Sequence, residues 1–85
     1  MNLPPEITAP EDWKSVRIET SGLDPDVVSE FIDQLRQTSL PLTQEEGAVR
    51  VERSEDGFAR QSFEMGLVPD LAVRGFRATW ECNSL

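Results

Sequence analysis

Histidine is missing from this 85-residue chain, and cysteine occurs once, at Cys82. That count excludes an intrachain disulfide, a zinc site of the usual Cys and His kind, and every histidine-based catalytic triad. Bases are scarce too. Eight Lys and Arg, of which only Lys14 is lysine, oppose sixteen Asp and Glu, giving a formal charge of −8 and a pI ≈ 4.3. The field of such a chain repels phosphate, which disfavours direct nucleic-acid binding and attachment to an anionic membrane. No apolar run approaches the roughly eighteen residues that a bilayer demands. The leading Met-Asn-Leu-Pro-Pro-Glu-Ile has neither the basic region nor the apolar stretch of a secretory signal. With an unpaired cysteine, these features predict a cytoplasmic protein. No stretch matches a calcium loop or a phosphate-cradling glycine motif, so no metal and no cofactor are expected.

What is present suits one small domain. The chain is 38% hydrophobic and carries six aromatics, two of them tryptophan, enough for a core and too many for an intrinsically disordered segment. At this length folding buries only about 60–65% of the surface of the unfolded chain, so the stability should be modest. The charge is uneven: residues 1–46 hold ten acids and three bases, while 47–85 hold six acids and five arginines.

Residues 1–12 combine Pro4, Pro5 and Pro10 with Glu6, Glu11 and Asp12, and are expected to form an extended arm preceding a single domain over 13–85. Leu3 and Ile7 are its two apolar handles for docking on a surface; otherwise the arm is a frayed terminus. From Trp13 to Thr20, Val16 and Ile18 alternate with Ser15, Arg17 and Glu19, the pattern of a half-buried strand. Asp24-Pro25-Asp26 then supplies an N-cap, a proline for the first helical position and an acid near the positive end of the dipole. Val28, Phe31, Ile32 and Leu35 follow helical spacing, so a helix should run over about 25–38 and stop before Pro41. The segment Leu40–Gly47 reads as a connection lying on the core. Val49 and Val51, the Asp56-Gly57 turn signal, and Ala59, Phe63 and Met65 read as a hairpin; Phe76, Ala78, Trp80 and Cys82 read as a long last strand from about residue 72, with Gly75 as a bulge. The expected fold is α+β: a two-layer domain in the order β-α-β-β-β, with one helix packed on a mainly antiparallel four-stranded sheet.

Function is less legible, because no motif specifies a chemistry. Asp26 and Glu30 stand four residues apart on the helix, but an exposed pair has no apolar pocket to split two pKa values, which makes it a solvated face and not an acid–base dyad. Cys82 has no histidine to activate it and reads as a small core residue. Trp80 and Phe76 read as core, whereas Trp13 lies on the parity opposite Val16 and Ile18, next to the Pro-rich arm, and is either an exposed, partner-facing indole or packed under the arm or at a core edge; it is counted here with the partner-facing residues. Arg50, Arg60, Arg74 and Arg77 are expected on strands, where they either pair with Glu52, Glu64 and Glu81 or grip an anion. The expectation is therefore a non-catalytic interaction module, such as an inhibitor, an immunity or anti-defence factor, an accessory subunit or a regulator. It would offer Asp26, Glu30 and Asp33, a second patch at Glu45 and Glu46, and Trp13 to a basic protein partner; self-association is compatible with a helix-side acid excess and a sheet-side arginine excess. The alternative is a small anionic-ligand binding domain or minimal enzyme that uses the helix–sheet concavity and the strand arginines.

Overall fold

A computed structural model describes residues 7–83 of the chain. Its strands are β1 (Trp13–Glu19), β2 (Leu42–Glu45), β3 (Ala48–Glu52) and β4 (Arg77–Cys82). Two helices complete it, α1 (Pro25–Gln37) and α2 (Gly57–Gln61), the second continuing into wide π turns over Ser62–Leu67 and a 3₁₀ turn over Val68–Asp70. The sheet is antiparallel in the order β2-β3-β1-β4, so the first strand lies inside it and β2 and β4 are its edges. The α+β class and a four-stranded antiparallel sheet are as expected, but one of the four strands is not the one expected and there are two helices where one was expected. Leu3 and the other arm residues before Ile7 lie outside the described residues; Ile7 and Ala9 pack against the core.

Helix α1 begins as its sequence dictates. Asp24 Oδ1 accepts from the backbone N–H of Asp26 at 2.8 Å, and Pro25 fills the first turn, where no N–H is needed. Phe31 and Leu35 are buried against the sheet; the Phe31 ring lies 4.4 Å from that of Phe76. Val16, Ile18, Val49 and Val51 supply the sheet side of the core, with Phe63, Val68 and Leu71 closing it from the second helical segment.

Two segments depart from the expected pattern. Residues 59–65 are helical, not the second strand of a hairpin. Asp56 serves as an N-cap, its Oδ1 accepting from the N–H groups of Phe58 and Ala59, and the apolar positions Ala59, Phe63 and Val68 recur every four to five residues. That period matches a helix widened by π turns, and it leaves Met65, on the expected inner parity, 69% exposed. The missing strand comes instead from Leu42–Glu45, joined to β3 through Glu46-Gly47, where Gly47 adopts φ +71. Downstream, β4 starts only at Arg77. Gly75, at φ +89, caps the preceding helical turn: its N–H donates to the Ala72 carbonyl and that of Phe76 to the Leu71 carbonyl, the paired bonds of a Schellman motif. It is a cap and not a bulge.

The bulge lies in β1. Trp13 pairs with Cys82 and Ser15 with Glu81, so two residues of β1 advance against one of β4 and Lys14 is the extra one. The side-chain parity inverts there. Trp13 therefore joins Val16 and Ile18 on the inner face and is fully buried, in an edge-on contact with Trp80 at 5.4 Å and a tilted one with Phe63 at 5.6 Å. Its indole Nε1 donates to Glu64 Oε2. Arg53 locks the segment by donating to the carbonyls of Glu11 and Trp13 at 2.8 and 3.1 Å.

Candidate functional site

Helical periodicity opposes the buried residues of α1 to its carboxylates. With Phe31 and Leu35 facing the sheet, Asp26, Glu30 and Asp33 fall on the outer side and are exposed. The only base on this helix is Arg36, 3.9 Å from Asp33 in a solvent-exposed pair of little energetic weight. Between the same helix and the edge strand β2 runs an open groove of ≈ 460 Å³. Half-buried Leu23, Val28 and Ile32 line its apolar side, and Thr20, Ser29, Asp33, Arg36 and Gln44 line its polar side. Asp33 is shared by groove and acidic face. Turning Leu42 and Gln44 inward is what brings Gln44 to the groove, since Leu42 pairs with Val51 and Gln44 with Val49 on the inner face.

The second expected patch is divided. Glu46 is exposed in the β2–β3 turn, whereas Glu45 sits on the outer face of the sheet between two guanidiniums, 3.5 Å from Arg17 Nε and 3.5 Å from Arg50 Nε. Arg17 also meets Glu19 at 3.3 Å and Arg50 meets Glu81 at 3.6 Å, so this face is a lattice of alternating charge. Trp13 does not belong to any outward surface: the Lys14 bulge turns it into the core, which corrects its assignment as an exposed anchor. Phe58, in the first turn of α2, is instead the large apolar side chain most open to solvent among the described residues, at 82%.

The arginines are distributed differently from the strand-borne cluster expected. Arg50 and Arg77 are on strands, while Arg60 lies in α2 and Arg74 follows the 3₁₀ turn, where its Nη1 donates to Gln34 Oε1 at 2.6 Å. Arg17 and Arg53 were the missed participants; the alternation of β1 marks Arg17 as outward, and only tertiary packing reveals Arg53. Because the sheet arginines face away from α1, they cannot grip a ligand held in the groove, whose one guanidinium is Arg36.

Cys82 is half-buried at the end of β4. Burial, followed by the Asp12 carboxylate beside it, pushes its thiol up from the ordinary value, so it stays protonated at neutral pH. Among the described residues no three Cys, Asp or Glu side chains converge as metal ligands do, and no helix is long and apolar enough to cross a membrane.

No family model, curated protein or solved structure matches this chain.

Proposed function

We propose that the chain is a cytoplasmic, non-catalytic interaction module that binds a basic protein segment along α1, in the manner of an inhibitor, immunity factor, accessory subunit or regulator. The observation that carries this reading is the juxtaposition of an exposed carboxylate row, Asp26, Glu30 and Asp33, with an apolar-sided groove on the same helix. The carboxylates attract and orient a cationic partner, and an apolar side chain of that partner seated against Leu23, Val28 and Ile32 supplies the desolvated contact that long-range attraction lacks. The sheet side does not compete for the same partner, since Glu19, Glu45 and Glu81 are already matched by Arg17 and Arg50.

The test is kinetic. A basic partner is isolated with the wild-type protein, and its association rate is measured at low and high salt against wild type and the triple variant D26N/E30Q/D33N. The variant is expected to keep the fold, because exposed charges contribute little to stability, while associating more slowly and with a flatter salt dependence. An unchanged rate with full salt sensitivity would reduce the acidic face to a solubilising surface.

A further inference from the structure

The edge strand β4 carries a self-complementary sequence, and we propose that it pairs with a second copy of itself across a two-fold axis at Thr79. The direction of its free hydrogen-bonding groups follows from one contact. The N–H of Asn83 donates to the Asp12 carbonyl, and the register matches Ser15 with Glu81, Arg17 with Thr79 and Glu19 with Arg77. Alternation then turns the backbone groups of the odd residues of β4 towards β1, and those of Ala78, Trp80 and Cys82 outward. Among the described residues no strand takes up that outer edge.

Antiparallel pairing of two such edges in register about Thr79 places Ala78 opposite Trp80 of the second copy as a hydrogen-bonded pair. Thr79 then meets Thr79, and Arg77 meets Glu81 twice, in the non-hydrogen-bonded pairs where side chains approach more closely. Each of these matches answers a feature of the isolated chain. Arg77 is exposed and makes no ion pair among the described residues, although every other outward guanidinium on the sheet has one. Trp80 is only half-buried against Trp13 and finds the small Ala78 across the new seam. Sliding the register by two residues in either direction puts Thr79 or Asn83 opposite Arg77 and loses both charge pairs. The other edge, β2, is shorter and follows Pro41, features that discourage pairing; β4 has no proline, lysine or bulge of its own, and its Glu81, which meets Arg50 through Oε2 at 3.6 Å, keeps Oε1 for Arg77 of the second copy. The result is one eight-stranded sheet with the two α1 helices on the same side of it.

Sedimentation equilibrium on the whole chain at about 0.15 M salt, where the repulsion between like-charged monomers is screened, tests this. Wild type is expected to show a concentration-dependent dimer. R77E and E81R each set like charges opposite one another at two symmetric places and should weaken it roughly tenfold or more, whereas R77E/E81R restores it. In a C82S background, T79C should form a covalent dimer on oxidation, because directly opposed residues of a non-hydrogen-bonded pair stand about 4.5 Å apart, within disulfide range; T43C on the β2 edge should not. A wild-type chain that stays monomeric at about 1 mM overturns the proposal. A dimer indifferent to both charge reversals and uncrosslinked by T79C overturns it as well.

Discussion

Replacing Trp13 by alanine separates the two roles open to this residue. As a fully buried side chain in contact with Phe63 and Trp80, it should cost about 3–5 kcal/mol in lost transfer energy and cavity formation. The aromatic contacts add about 0.5–1.5 kcal/mol, and Glu64 loses its indole donor. A domain of this size has roughly 4–13 kcal/mol in total, at about 0.05–0.15 kcal/mol per residue, so W13A removes much or all of it. W13F keeps most of the ring but deletes the donor, and should lose about 1–3 kcal/mol. Urea melts followed by far-UV circular dichroism give both values, with the emission of Trp80 as an independent probe of the same transition. A partner-facing indole would behave otherwise: W13A would stay within about 0.5 kcal/mol of wild type. A measured loss below about 1 kcal/mol would therefore refute the inward-turned Trp13 and the bulge that places it there.

Further expectations follow from the same packing. F31A should lose about 3–5 kcal/mol in denaturant melts, since the ring is buried by the sheet and Phe76, and a loss below about 1 kcal/mol would mean the wrong face of α1 has been turned inward. G75A should cost about 1–2 kcal/mol by the same measurement, because a side chain at φ +89 is strained and its Cβ would stand 3.3 Å from Leu23 Cδ2. Cys82 should react with iodoacetamide more slowly than a free thiol near pH 8, and D12N should speed it, because removing the neighbouring carboxylate lowers the thiol towards its ordinary range and enlarges the thiolate fraction. Equal rates in wild type and D12N would mean that Asp12 does not act on the thiol.

The parts of the fold readable from sequence were those with one dominant local signal. Asp24-Pro25-Asp26 and the spacing of Phe31 and Leu35 fix α1 to Pro25–Gln37 because cap, dipole and buried stripe agree. Residues 56–65 carry two compatible signals. Asp56-Gly57 suits a hairpin turn as well as an N-cap, and Ala59 and Phe63 are spaced for either a strand or a helix; Leu67 and Val68, which extend the helical spacing, decide the outcome. Strand β2 escaped because four residues, of which only Leu42 is apolar, leave no periodicity to detect. The acidity of Asp26, Glu30 and Asp33 was plain, but the groove was not, since it depends on how far α1 stands from β2. Nor was the neutralisation of Glu45, which needs Arg17 and Arg50 to arrive from two different strands.

The spare residue in β1 also bears on how this chain is free to change length. Skip Lys14 and the run Trp13, Ser15, Val16, Arg17, Ile18, Glu19 alternates without fault, inward and outward, up to the aromatic that anchors it. Lys14 is thus a one-residue insertion that the strand absorbs without disturbing either neighbour's side, its own role being an exposed side chain and a carbonyl that accepts from the Arg53 N–H. Homologous chains are accordingly expected to differ in length at this point, with a gap opposite residue 14 flanked by an aromatic before it and a small residue after it. A gap from 16 to 18, with the bulge kept, would instead invert the later side chains of the strand and is expected to be absent.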